Sequence, residues 1–213
     1  TYPPDSEWFK ADGKIYGVGT NGAIIRGLGY NERIFNEAGV ALPTDKWDWD
    51  DYTDAAKKLH NPKDVYAMQS FRSSDVMMKM IMQNGGRIVS EDEKTAMVDS
   101  PEVVEAVQVP VDWQSKHKVA MAPGEEKALG DRPVSTDKIA TWVMVLQDWG
   151  TWKSLTNDDT MGPSWVTWWP TPRNPKKDLL IASLHAEAIS GKTKNIDAAW
   201  EFFHWRNTAE EPQ

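Results

Sequence analysis

The sequence predicts an α/β protein with a largely parallel or mixed sheet covered by helices. Two observations carry that expectation. Short apolar runs alternate along the chain with runs whose apolar residues recur at three and four positions, the spacing of one buried helix face. Residues suited to capping and turning, chiefly Ser, Asp, Asn, Gly and Pro, punctuate the boundaries between them. At 213 residues the chain can bury one substantial core or two modest ones.

The opening "TYPPDSEWFKADGKIYGVGTNG" is rich in Pro, Gly and polar residues and reads as a loop leading to a short strand near Ile15. "AIIRGLGYN" is strand-like. Asn31 is placed to cap a short helix with Ile34, Phe35 and Ala38 on one face, ending at Gly39. Asp48 or Asp50 caps a second helix, in which Tyr52, Ala55, Ala56 and Leu59 form a stripe and Lys57 and Lys58 favour the C-terminal end. "VYAMQSF" reads as a buried strand. Ser73 or Ser74 then caps a helix whose Met77, Met78, Met80 and Met82 supply adaptable packing before Gly85 and Gly86 stop it. Ser100 and Pro101 open a further helix, which Pro110 is expected to kink or divide. After a loop with one short helical turn, "KIATWVMV" is a strand, "DWGTWKSL" a helix or turn, and "SWVTWW" and "LLIASLHAEAIS" strands. "NIDAAWEFFHWRN" closes the chain as a helix with Ala199, Phe202 and Phe203 on one face. No internal repeat or low-complexity tract interrupts this order.

Charge and composition remove several classes of function. A net charge of -8 without clustered Lys and Arg argues against nucleic acid as the main partner, and no basic helix is suited to a membrane surface. No apolar run approaches the ~20 residues needed to span a bilayer. Cysteine is absent, which excludes disulfides, zinc ribbons and thiol nucleophiles and leaves the redox compartment open. No signal peptide is visible; a mature exported protein or a fragment would look the same. No nucleophile elbow, zinc-protease motif or dinucleotide fingerprint occurs, and no carboxylate pair stands out as acid and nucleophile. "GVGTNG" leads into a strand, so its amides are not aimed at a phosphate as they would be at a helix start. No catalytic residue, metal or cofactor is expected. The outlier is Trp: of 12 residues, Trp142, Trp149, Trp152, Trp165, Trp168 and Trp169 crowd one stretch.

Six segments in order carry a resemblance. "DGKIYGVGTNGAIIRGLGYNERIFNEAGVALP" and "WDWDDYTDAAKKL" are followed by "QNGGRIVSEDEKTAMVDSPEVVEAV", "DKIATWVMVLQDWGTW", "VTWWPTP" and "LHAEAISGKTKNIDAAWEFFHW". From Asp12 onward the chain resembles the sugar-binding family of ABC-transporter extracellular solute-binding proteins. The resemblance implies a type II periplasmic-binding fold, two α/β lobes joined by crossing strands, with a carbohydrate held between them and delivered to a membrane permease. It implies an opening segment at 1–18, a first crossing at 19–26, a ligand-binding lobe at 27–167, a return crossing at 168–173 and part of the second lobe at 174–213. The sequence looks like the middle of a longer protein, monomeric at full length and periplasmic or lipid-anchored to the outer face of the bacterial cytoplasmic membrane. Gln147 and Asp148, where the family carries a small residue, and Pro110 depart from the pattern.

Sugars present flat C–H patches rimmed by hydroxyls, so their sites pair aromatic platforms with a few orienting polar groups. The resemblance places platforms at Trp149, Trp152, Trp168 and Trp169. Strand alternation sends 168 and 169 to opposite faces, so only one of that pair meets the ligand, and Trp169 is preferred. Further candidates are Asn21 at the first crossing, Phe71 and Arg72 past a strand, Asp148 beside its Trp, and Ser183 and His185 on the strand entering the second lobe. Trp47, Trp49, Trp113, Trp142, Trp200 and Trp205 are expected to pack cores. A carbohydrate-active enzyme or lectin-like module with the same platform is the alternative reading.

Overall fold

A computed structural model of the chain describes residues 9–61, 63–69, 74–130, 133–136, 138–145, 163–166, 170, 172, 175 and 182–208. The side chains of 20–25, 123, 133, 135, 163–166 and 182–184 lie outside that description. The chain divides into two compact units, Thr1–Ile24 with Ala182–Gln213, and Ile25–Ile181.

In the first unit, β1 (Lys10–Ala11) and β2 (Lys14–Ile15) pair antiparallel. Asp12 and Gly13 join them, both with positive φ, the backbone that a two-residue hairpin turn demands. The long strand β3 (Val18–Asn31) begins here. It pairs with β7 (Ala182–Glu187), so the chain itself supplies a neighbour for the strand expected at 179–190. His185 and Ala186 on this strand are exposed. Just before β3 the backbone passes close to β7: a Cβ on Gly17 would sit 3.0 Å from that of Ala186. The helix α6 (Ile196–Thr208) is tied to β7 by Arg206 and Glu187 at 2.6 Å.

No residue of α6 is buried, which overturns a core role for Trp200 and Trp205. They are 51% and 62% exposed, and Phe202 is 59% exposed. The physical reason is supply: within this unit a two-residue hairpin and two paired strand segments offer too little apolar surface to cover a helix bearing four large aromatic side chains. Changing Trp200 and Trp205 to Ser in this chain should therefore shift its unfolding free energy by no more than ~0.5 kcal/mol each, read from urea denaturation. A loss of ~2 kcal/mol or more would show that the face is covered.

The second unit is built on a mixed sheet ordered β4-β5-β3-β6. Here β5 (Ile139–Val145) and β6 (Pro163–Val166) flank β3 antiparallel, and β4 (Tyr66–Met68) lies parallel to β5. Beside β4, Met68 bridges to residues 119–121 through Met68 N–H to Val119 O and Met121 N–H to Met68 O.

The helices form where their caps lie. Asn31 accepts the Ile34 N–H and opens α1 (Glu32–Glu37), and Gly39 at φ 65° follows its end. Ile34 and Phe35 are buried, but Ala38 is exposed. Asp48, rather than Asp50, caps α2 (Trp49–Leu59), accepting from the amides of Asp50 and Asp51 while Asp51 returns the bond to the Asp48 N–H. The expected stripe of α2 is buried, and Tyr52 donates to Thr141 Oγ1 at 2.5 Å while Thr141 donates to Ala67 O. Burial pushes the Tyr52 phenol well above its ordinary range, with the Thr141 contact acting in the opposite sense.

In α3 (Ser74–Gln83), Met80 is buried and Met77 packs at the margin, whereas Met78 and Met82 are exposed, so the methionines are only partly core. The helix α4 (Pro101–Ser115) runs through Pro110 undivided. Val103, Ala106, Pro110 and Trp113 share its buried face, and that packing outweighs one missing backbone hydrogen bond. Ser100 starts the helix through its carbonyl, which accepts from Val103 and Val104, and not through its hydroxyl. A short helix, α5 (Pro123–Ala128), and a 3-10 turn at Pro133–Thr136 complete the unit.

Four tryptophans take the packing roles expected. Trp47 lies against Phe35, and Trp49, Trp113 and Trp142 are buried. Trp113 donates to Thr53 Oγ1 at 2.7 Å, Thr53 donates to Trp49 O at 2.6 Å, and Trp49 Nε1 donates to Pro170 O at 3.0 Å. On β3, Gly29 stands opposite Trp142 on one side and Trp165 on the other. A Cβ at Gly29 would overlap the Trp142 indole, so the ring lies against backbone that only Gly leaves open.

Candidate functional site

Strand directions gather one edge of the second unit's sheet. β4 and β5 are parallel and finish there at Met68 and Val145. β6 runs antiparallel to β3 from Asn31 toward Leu28, so it finishes at the same edge, where Arg26 on β3 pairs with Val145. α3 starts from this edge too, because Arg26 reaches Asp75 in its first turn at 2.7 Å. In open α/β sheets the ground beyond the carboxyl ends of the strands is where ligands bind, since loops there diverge and helix N-termini face the opening.

The expected site residues sort against this edge by chain continuity. Phe71 and Arg72 follow β4, Asp148, Trp149 and Trp152 follow β5, and Trp168 and Trp169 follow β6. All seven lie outside the described residues. Asn21 is on β3 and Ser183 on β7, both within the first unit and with undescribed side chains. His185, also on β7, is exposed. Seven candidates thus follow, in sequence, strands that finish at one sheet edge, and the other three lie on β3 and β7 within the first unit.

Arg26 and Asp75 were missing from the expected set. A partly exposed ion pair, 21% and 32% accessible, is a polar feature of the edge with fixed geometry. Its signal in the sequence is a single charged residue inside the strand, and the partner 49 positions on carries no signal at all.

A cavity of about 590 Å³ lies between α2 and α4, lined by Trp49, Asp54, Glu105, Asp112 and Trp113 among others, and by none of the expected residues. Among the described residues no group of three or more His, Cys, Asp or Glu is placed to hold a metal ion, and no helix is long and apolar enough to cross a membrane.

A mixed sheet flanked by helices, with its strand ends collected at one edge, defines the class, an α/β protein. The sequence model of the family described as bacterial extracellular solute-binding protein matches residues 2–211, and the chain belongs to that family. The fold is similar to that of an ABC substrate-binding protein from Listeria monocytogenes in complex with cycloalternan, at 25% identity and a TM-score of 0.82, covering 99% of this chain and 53% of that one. It is also similar to an ABC transporter solute-binding protein from Thermotoga lettingae bound with alpha-D-tagatose, at 19% identity and a TM-score of 0.74, covering 94% and 52%. A third similar structure is the maltose-maltodextrin binding protein of Alicyclobacillus acidocaldarius, at 18% identity and a TM-score of 0.67, covering 95% and 52%. The chain spans about half the length of the structures it matches.

Proposed function

We propose that this chain carries the carbohydrate-binding lobe of an extracellular receptor that passes its sugar unaltered to an ABC permease. The observation that carries the reading is the agreement in fold along 99% of the chain with an ABC substrate-binding protein in complex with cycloalternan. The edge geometry supports it. Aromatic residues follow β5 and β6 in sequence, and the Arg26–Asp75 pair adds polar groups at the edge where those strands finish, and sugars require the combination of platform and orienting charge. Trp149 and one of Trp168 and Trp169 are the platforms; Arg72, Asp148 and Arg26 orient hydroxyls. The receptor acts outside the cytoplasm, in the periplasm or anchored to the outer face of the membrane.

The test uses the full-length protein with maltose, a maltodextrin series, a cyclic glucan and tagatose. At least one should shift tryptophan emission, raise the melting temperature and be recovered chemically unchanged after long incubation. Reducing sugar released from the maltodextrins or the cyclic glucan would overturn the receptor in favour of an enzyme. Absence of binding across the whole panel would remove carbohydrate as the ligand class.

A further inference from the structure

A second cavity, of about 490 Å³, opens where α2 and α4 both end, walled by β4 at its first residue and by α5. Its size suits a small molecule. His60, which ends α2, and Tyr66, which starts β4, form an aromatic corner with ring centres 5.8 Å apart and planes inclined at 52°. Across it stands Glu125. One of its oxygens accepts the Ala122 N–H at 2.7 Å, which fixes the carboxylate, and the other meets only a long contact of 3.4 Å from the Tyr66 hydroxyl.

The balance of donors and acceptors in this wall is uneven. Gln114 spends its amide on Met121 O, and the Ser115 hydroxyl is spent on Val111 O. What remains is acceptor capacity at the loosely engaged Glu125 oxygen, while His60 Nδ1 is buried with no hydrogen-bond partner. Two helix C-termini add negative potential from their last carbonyls. Aromatic faces attract cations as well. Two features oppose: the N-terminus of α5, whose amide end is partly answered by Glu125 in its first turn, and Lys118, an exposed residue at the rim whose flexible stem lets the ammonium turn into solvent.

We infer that this cavity binds a small organic ammonium ion, held by the Glu125 carboxylate and the aromatic corner of Tyr66 and His60. The inference does not rest on the sugar-binding reading, because His60, Tyr66 and Glu125 are not among the residues proposed to meet the sugar. Protonation of His60 works against it. Burial holds the His60 imidazole below its ordinary 6.5, while Glu125 pulls the other way. The neutral ring is therefore the form present near pH 7, and it accepts where an imidazolium would repel. The charged or titratable groups facing it are Tyr66 on β4, Lys118 after α4 and Glu125 on α5.

The probe is n-butylammonium, titrated into the full chain while His60 ring protons are followed by NMR, with n-butanol and butyrate as neutral and anionic controls. Butylammonium should give a saturable shift at His60, and both controls should bind at least tenfold more weakly. Glu125→Gln should weaken the ammonium roughly tenfold or more, the scale of one charge-assisted contact. Lys118→Gln should strengthen it. Should Glu125→Gln loosen α5, Lys118→Gln and the two controls still decide the matter. Affinity should fall as pH drops through the His60 pKa, which burial holds below its ordinary value. The fold should lose stability in the same direction, because a depressed folded-state pKa contributes stability that is complete above the unfolded value and is lost as pH falls through the folded one. Butyrate binding as well as butylammonium, or no saturable shift at His60, would overturn the proposal.

Discussion

Trp142→Ala should lower the folding free energy by ~3 to 5 kcal/mol, the cost of emptying a buried aromatic site. The indole is 3% exposed and lies against Gly29 on the neighbouring strand, with Met144 and Ile139 in the same packed cluster. The same contact makes a second substitution harmful from the other side. Gly29→Ala puts a Cβ inside the space of the indole, and overpacking of this sort costs ~1 to 3 kcal/mol. Because both changes act on one contact, they should not add: the double variant Gly29→Ala, Trp142→Ala should be more stable than the sum of its single changes implies. Urea denaturation of the four proteins of the cycle measures it. Additive losses would show that the ring and the glycine do not meet.

Trp149→Ala should do the reverse, removing ~1 to 3 kcal/mol of sugar binding while leaving stability almost unchanged. The prediction rests on the proposed role of the segment after β5 as a platform beyond the strand ends. Calorimetric titration of the full-length variant with the best sugar of the panel, paired with its melting curve, separates the two effects. A variant that melts early yet binds as tightly as the parent would place Trp149 in a core. Trp168→Ala and Trp169→Ala should divide between these behaviours, since neighbours on an extended segment point to opposite sides.

Elements whose signal is local were readable in the sequence. Asn31, Asp48 and Gly39 mark helix limits by hydrogen bonding and backbone freedom confined to a few residues, and the structure has them in those roles. The stripe of α2 was equally plain, because period and burial coincide. Where packing decides, local signal misled. Pro110 reads as a break, but its ring lies on the buried face of α4, and the helix continues. Trp200 and Trp205 read as core by residue type, yet burial depends on what surrounds a helix, and α6 has little around it in its unit. The candidate site residues were chosen by type and by resemblance, and seven of the ten follow strand ends but lie outside the described residues. The Arg26–Asp75 pair was not legible, since it joins a strand to a helix through tertiary placement alone.

The bond from Trp49 Nε1 to Pro170 O has a consequence for the order in which the chain folds. It joins residues 121 positions apart, whereas the neighbouring links from Trp113 to Thr53 and from Thr53 to Trp49 span 60 and 4. Closing a longer loop costs more chain entropy, and that cost must be met before the contact rewards it. The α2–α4 pair can therefore assemble while the chain beyond β5 is still unformed, and the indole of Trp49 waits with its N–H unspent. Contacts made after the main barrier leave the rate of folding unchanged and act on the rate of unfolding. Trp49 thus works less as a nucleus than as a latch, lengthening the lifetime of a fold that other residues have already built.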